Sequence, residues 1–178
     1  KKRGTLLKEA PQAYGLAGEP HYYFIHAYNC VYECEYCYLQ GYFNSPDIVL
    51  FINHDEIGAK IIETCLLHKE ITDGGKKIWF HAGEFSDSLA LSHLSNELPY
   101  YFSLFKDLPQ AILELRTKSA NIKELLKLEP LENIITSFSL SPEQRIKKTD
   151  LKTPPLKARL KCLKELQDAG FPIAIHLD

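Results

Sequence analysis

Cys30, Cys34 and Cys37 fall within eight positions in HAYNCVYECEYCYLQGYF, residues 26–43, with Tyr36 and Tyr38 on either side of the last thiol. Three thiols cannot pair off as disulfides, and three thiolates are one short of a closed zinc site. A Cys-x3-Cys-x2-Cys loop can wrap three thiolates around one face of a cubane iron–sulfur cluster. Four cysteines are the usual complement, so three leave one iron open. Two other chemistries use the same residues. His26 could complete a zinc site, although structural zinc usually draws on two knuckles and the chain has no second Cys/His pair. His26 also suits a core position between aromatic residues. CEYC, residues 34–37, could be a redox dithiol, which leaves Cys30 without a purpose. The spacing favours the cluster over zinc, and zinc over the dithiol.

The elements that must position these thiols alternate between short apolar runs and longer helical patterns. HYYFIHAY (21–28) reads as a buried strand, KKIWFHAGE (76–84) as a second, AILELRTK (111–118) as a third and NIITSFSLS (133–141) as a fourth. FPIAIHLD (171–178) starts a fifth. Between them, 54–70 has apolar residues at helical spacing and acidic residues in its first turn. Residues 88–105 read as a helix interrupted by Pro99, 121–128 as a short helix, and 154–170 as a helix opened by two prolines and closed by Gly170. Strands alternating with helices predict a parallel α/β sheet built from right-handed crossovers. Five strands are too few for an eight-stranded barrel, so an open or partial barrel is expected. Chemistry in such sheets belongs at the carboxyl ends of the strands. Cys30, Gly83-Glu84, Lys118, Ser139 and Ser141 all lie there.

Composition narrows the class. The 178 residues are 45% hydrophobic and 25% charged, with a formal net charge of -2. This is enough chain for one sizeable core. No segment reaches the ~18 apolar residues of a membrane span. The charge balance gives no global reason to bind nucleic acid. Five cysteines, an odd number with three clustered, point to metal-ligating thiols in a reducing, cytoplasmic compartment rather than to a disulfide framework. The chain has no methionine and stops inside an apolar segment. It is therefore expected to be part of a larger protein whose C-terminal region is absent.

Cys30-x3-Cys34-x-Tyr36-Cys37, with an aromatic residue before the third cysteine, resembles the signature of the radical S-adenosylmethionine enzymes. The resemblance implies a [4Fe–4S] cluster whose fourth iron is chelated by the amino and carboxylate groups of S-adenosylmethionine. It also implies a 5′-deoxyadenosyl radical that abstracts hydrogen, a low-potential electron donor, and a partial (β/α)6 TIM-like barrel, here truncated after about five strands. CEYCYLQ (34–40) is similar to the cluster loop of spore photoproduct lyases. The likeness continues through FHAGEFSDSLALSHL (80–94), ELRTKSAN (114–121), TSFSLSP (136–142) and residues 153–178. By that resemblance residues 20–178 form the radical enzyme domain and 1–19 an N-terminal extension. Ser86, Lys118 and Ser139 then match positions that contact S-adenosylmethionine, and Tyr36 and Tyr38 match tyrosines near the radical.

One departure bears on substrate. In spore photoproduct lyases the segment after the second strand carries a cysteine that returns a hydrogen atom to the product radical. Alignment on Phe80 and Ser86-Asp87 puts Glu84 at that position. A carboxylate cannot donate a hydrogen atom as a thiol does. Gly83-Glu84 instead resembles the Gly-Gly-Glu motif of other radical enzymes, whose carboxylate holds the cofactor's ammonium group. The expectation is a lyase-like enzyme with a substrate other than the spore photoproduct, a DNA repair lyase and a non-catalytic zinc domain being the alternatives. Nucleic acid remains a candidate substrate. Tyr36 and Tyr38 also suit plain packing. Cys65 and Cys162 read as small core residues, His81 as a hydrogen-bonded structural residue, and Lys157, Arg159, Lys161 and Lys164 as a solvated helix face.

Overall fold

The computed structural model describes residues 1–11 and 18–178. Residues 12–17 of the expected N-terminal extension therefore lie outside the described part. The chain runs through β1 (Leu7–Glu9), β2 (His21–Phe24), β3 (Ala27–Tyr28), β4 (Glu33–Cys34), α1 (Leu39–Tyr42) and β5 (Val49–Leu50). It continues with α2 (His54–Leu67), α3 (Lys69–Asp73), β6 (Ile78–Ala82), α4 (Ser92–Ser95), α5 (Glu97–Lys106) and β7 (Ala111–Thr117). The last third holds β8 (Ile134–Leu140), α6 (Glu143–Thr149), β9 (Asp150–Leu151), α7 (Leu156–Asp168) and β10 (Ile173–Leu177).

The main sheet has the order β1-β2-β6-β7-β8-β10. From β2 onward the neighbours are parallel and follow chain order without reversal. That is the progression of a barrel wall, since a doubly wound sheet reverses at a switch point. The sheet is nevertheless mixed. β1, from the expected extension, adds an antiparallel edge with Leu7 opposite Phe24. Alternation along the strands sorts the two faces. Ile78, Phe80, Leu113, Leu115, Ile134 and Phe138 bury themselves against Ile57 and Ile61 of α2, Phe102 and Phe105 of α5 and Leu166 of α7. Cys65 and Cys162 belong to this core, as their helical spacing predicts. The other face carries His81, Glu114, Ser137 and His176. Glu114 accepts hydrogen bonds from His81 Nδ1 (2.5 Å), His176 Nε2 (2.7 Å) and Arg116 Nη2 (3.1 Å). Burial alone would raise the Glu114 pKa, but these donors hold the carboxyl well below the usual range.

Several elements differ from the sequence-based expectation. The run 21–28 is not one strand. β2 ends at Phe24, and β3 leaves the sheet to pair antiparallel with β5. His26 at this bend is buried, its Nδ1 3.0 Å from Glu97 Oε2, and is a core histidine rather than a ligand beside the thiols. Pro99 does not interrupt a helix. The break falls at Asn96, which is left-handed at φ 51, and Pro99 sits in the first turn of α5, where no intrahelical N–H is required. The expected helix at 121–128 is one 3-10 turn, Leu125–Lys127.

The largest correction concerns Arg159. It lies on the buried face of α7 with Cys162 and Leu166, and is 0% exposed. Its guanidinium donates to Asp150 Oδ2 (2.9 Å), the Ser139 carbonyl (2.9 Å), the Pro154 carbonyl (3.0 Å) and Thr153 Oγ1 (2.6 Å). Asp150 also accepts from the Tyr36 hydroxyl at 2.8 Å. β9, which begins at Asp150, pairs with β4 so that Cys34 faces Asp150. The ion pair therefore joins α7, the end of β8 and the cysteine loop. Lys157, Lys161 and Lys164 are exposed, as expected of them.

The turn after β6 is held as firmly. Asp87 Oδ1 accepts from the backbone N–H groups of Leu89 (3.0 Å) and Ala90 (2.9 Å) and from the Thr117 hydroxyl (2.7 Å). Asp87 Oδ2 accepts from the Lys118 N–H at 2.7 Å, which ties this turn to the end of β7. Gly83 opens the turn at φ 90, where a Cβ would stand 2.6 Å from Ser88 Oγ and 3.3 Å from the Arg116 carbonyl. Only glycine fits there.

Two expectations follow. Replacing Arg159 by Met strands the Asp150 carboxylate in the interior, and should cost ~3–5 kcal/mol, a fall of roughly 6–20 °C in thermal midpoint. The double variant Arg159→Met/Asp150→Leu should recover most of that loss in the same melts. Gly83→Ala should cost about 1–3 kcal/mol, and adding Ser88→Ala should return only part of it, because the positive φ remains.

Candidate functional site

The three cysteines, the two tyrosines, Glu84, Ser86, Lys118 and Ser139 line one cavity, of about 220 Å³, at the carboxyl ends of the parallel strands; Ser141, also expected at this rim, is not among its lining and donates its hydroxyl to the Asp178 carbonyl at 3.0 Å. The cysteine loop supplies Cys30, Cys34, Cys37, Tyr36 and Tyr38. The turn after β6 supplies Gly83, Glu84 and Ser86, the end of β7 supplies Arg116 and Lys118, and β8 supplies Ser139.

The loop is shaped by backbone bonds. The Cys37 N–H donates to the Cys34 carbonyl at 3.0 Å, and the Glu35 N–H to the Thr149 carbonyl at 2.8 Å. Burial, reinforced by Asp87, pushes the Cys30 thiol up to about 12. Burial and Asp150 push Cys34 up to about 11. In this wall a thiolate needs a cation or metal as partner, and metal uptake must release the protons. Among the described residues no three His, Cys, Asp or Glu side chains stand as a ready-made metal site. The three sulfurs share a cavity rather than a closed ligand set. A soft three-sulfur donor set facing one cavity, beside a glycine turn that lets backbone approach closely, fits a cluster with one open iron.

Glu84 is placed by two contacts. Its carbonyl accepts from the Tyr38 hydroxyl at 2.7 Å. Its neighbour Phe85 is buried in a second aromatic core with Ile25 and Phe51, against Tyr28, Leu39 and Phe43. Phe85 also meets Tyr42 at 5.2 Å and Tyr38 at 6.1 Å between ring centroids. The Gly83–Phe85 turn and the cysteine loop are thus packed as one piece. Ser86 donates its N–H to the Gly83 carbonyl (3.3 Å), which closes the turn.

Lys118 forms an ion pair with Asp178, and its ammonium lies 5.6 Å from the centre of the Tyr36 ring. Arg145 lies at the same distance from that ring. Burial first, and then its bond to Asp150, raise the Tyr36 pKa. Ser139 is buried, its carbonyl fixed by Arg159. His81 both lines the cavity and is hydrogen-bonded to Glu114, with its Nε2 2.9 Å from His21 Nδ1. Asp87, Glu114 and Asp150 hold this site and were given no role from sequence, and Arg159, read there as part of a solvated helix face, holds it with them. For Arg159 a signal exists, since Cys162 and Leu166 follow at helical spacing on the same face.

The family model described as spore photoproduct lyase matches residues 18–177. The spore photoproduct lyase of Bacillus subtilis (strain 168) is 27% identical over 148 residues, which cover 83% of this chain and 42% of that protein. That of Geobacillus sp. (strain Y412MC61) is 26% identical over 149 residues, with 83% and 42% covered. A spore photoproduct lyase double mutant with bound AdoMet and dinucleoside spore photoproduct superposes with a TM-score of 0.74 at 24% identity. That match covers 86% of this chain and 44% of the other. A lyase complexed with dinucleoside spore photoproduct gives 0.72 at 24% identity, with 84% and 43% covered. At such identities the structural likeness speaks for the fold. The chain spans less than half the length of the relatives it matches. With nearly all its residues under the family model, the chain belongs to the spore photoproduct lyase family of the radical S-adenosylmethionine superfamily.

Proposed function

We propose that this chain is the radical-generating domain of a spore photoproduct lyase-like enzyme whose substrate is not the spore photoproduct. The observation that carries the reading is the convergence of Cys30, Cys34, Cys37, Glu84, Ser86, Lys118 and Ser139 on one cavity from four separate segments. When bound, a [4Fe–4S] cluster and S-adenosylmethionine supply a 5′-deoxyadenosyl radical that abstracts hydrogen from substrate. The protein's part is to hold and orient. Cys30, Cys34 and Cys37 ligate the cluster. Glu84 accepts from the cofactor's ammonium group, Lys118 pairs with its carboxylate, and Ser86 and Ser139 serve its ribose hydroxyls. Tyr36 walls the cavity, pinned by Asp150. Tyr38 holds the Glu84 carbonyl and stands where a hydrogen relay would pass. The fold is read as a partial (β/α)6 barrel over residues 20–178. The five free cysteines suit a reducing cytoplasmic setting. Among the described residues no helix is long and apolar enough to cross a membrane.

Glu84 supports the altered substrate, because the position lacks the thiol that would return a hydrogen atom. A second reading, favoured by the family membership, keeps the family's chemistry: repair of a thymine photoproduct in DNA.

Anaerobic reconstitution of the full chain should yield about four irons and four sulfides per chain, and Cys34→Ala should lose them. With dithionite and S-adenosylmethionine the protein should release 5′-deoxyadenosine. Lys118→Ala should keep its iron and weaken cofactor binding by about tenfold or more. A colourless protein with one zinc per chain would sink the proposal. Dinucleoside spore photoproduct should come through the assay intact, and recovered thymine units would establish the second reading instead.

A further inference from the structure

The face of the main sheet that carries no helices holds two histidines on one carboxylate, and they are used differently. Glu114 accepts from His81 Nδ1 at 2.5 Å and from His176 Nε2 at 2.7 Å. A carboxylate can only accept, so each ring presents a proton on that nitrogen. Both nitrogens of His81 are engaged. Its side chain is 7% exposed, and its Nε2 lies 2.9 Å from His21 Nδ1. His176 keeps one nitrogen in reserve. Its side chain is 38% exposed, and its Nδ1 has no hydrogen-bond partner among the described residues. In the neutral ring that nitrogen carries a lone pair. His176 is in register with Ser139 of the neighbouring strand, so it rises from the same face as a residue of the cavity's lining. Arg116, another residue of that lining, shares Glu114 with it. An imidazole whose tautomer is set by a buried carboxylate, with its basic nitrogen open, is the arrangement of a general base.

The cavity also holds no spare thiol. Of the five cysteines, Cys30, Cys34 and Cys37 are read as cluster ligands, and Cys65 and Cys162 lie in the core between the sheet and its helices. Glu84 stands where a thiol would return a hydrogen atom. A substrate radical formed here has no thiol to restore its hydrogen. The base beside it offers a different end, the loss of a proton and an electron.

We propose that the substrate carries a hydroxyl on the carbon that gives up hydrogen, that His176 takes the hydroxyl proton, and that the reaction oxidises this carbon to a carbonyl. The inference rests on the reading of the cavity as a radical-generating site. A hydroxyl on a radical carbon is far more acidic than in the parent alcohol, so an imidazole suffices as base. The C–H bond breaks and its hydrogen atom goes to the 5′-deoxyadenosyl radical. The O–H bond breaks and its proton goes to Nδ1 of His176. The unpaired electron then left on the substrate returns to the cluster, which gave one electron at the start. Alcohol and S-adenosylmethionine become carbonyl compound, 5′-deoxyadenosine, methionine and one proton, and no reductant is consumed.

Two measurements on the full chain test this. Long-range proton–nitrogen NMR spectra of the isotope-labelled protein should show His176 as the Nε2–H tautomer at neutral pH, its signals assigned by their loss in His176→Gln. The second measurement uses reconstituted protein reduced once with dithionite, freed of the excess and placed in heavy water. It then receives S-adenosylmethionine with thymidine, myo-inositol or lactate as probe. At least one probe should yield a carbonyl compound, trapped as its hydrazone, with more 5′-deoxyadenosine than electrons supplied. His176→Gln should keep its iron and its Kd for S-adenosylmethionine, yet form the carbonyl about a hundredfold more slowly or worse. An Nδ1–H tautomer in the wild type would overturn the inference. So would the absence of carbonyl from every probe, deuterium returned to the probe's carbon, or undiminished carbonyl formation in His176→Gln. Each of these leaves the cluster reading in place. A wild-type chain that takes up no iron would instead overturn the reading of the cysteines, and this inference with it.

Discussion

A guanidinium with no exposure to water, set against a carboxylate equally buried, is an expensive arrangement unless nearly every donor and acceptor is used. Arg159 and Asp150 meet that condition. The arginine also reaches three oxygens from β8 and the β9–α7 segment, and the aspartate also takes the Tyr36 hydroxyl. The pair matters less for what it adds to stability than for what it joins. The cysteine loop has little regular structure of its own, only the two-residue β4 and a single turn of helix. Its shape is imposed from outside, by β9 on one side and the Phe85 aromatic cluster on the other.

Those two supports divide the work. The Phe85 cluster fixes the loop relative to Gly83–Phe85, and so relative to the carboxylate read as the cofactor's ammonium partner. The Arg159–Asp150 pair fixes the loop relative to Ser139 and, through the Tyr36 ring, to Lys118. Asp87 closes the circuit by tying the turn after β6 to the Lys118 backbone. Three wide gaps in sequence are thus bridged by contacts that each satisfy a buried polar group or fill an apolar space. A cavity with walls from four segments keeps its shape because no wall is free to move alone.

Much of this was legible beforehand, and the exceptions share a cause. Strands and the longer helices follow from apolar periodicity, a local property, and the strand-end rule then collects Cys30, Glu84, Lys118 and Ser139 at one rim. The end of β2 at Phe24 was not legible. HYYFIHAY contains no breaker, and the bend is set by β5 and by Glu97, which is 71 residues from His26. Arg159 was misjudged because a charged residue among lysines suggests solvent, while its partner lies in a two-residue strand that no periodicity announces. β1 escaped for the same reason: three residues carry too little pattern. Asp87 shows the remaining limit. Two of its four acceptor contacts cross to β7 and the residue after it, and no spacing rule predicts a carboxylate bonding to the end of the next strand.

The reach of the Tyr36–Asp150 bond, 114 residues, bears on how the protein is made. A nascent chain that has emerged only through the turn after β6 displays all three thiols and Gly83, yet has neither β9 nor Arg159 to shape the loop. Until Arg159 has been made, these segments are a tether whose three thiols are open to oxidation. The loop gains its form only once α7 is out and packed. The three thiols therefore reach their final spacing only after the wall beside them exists.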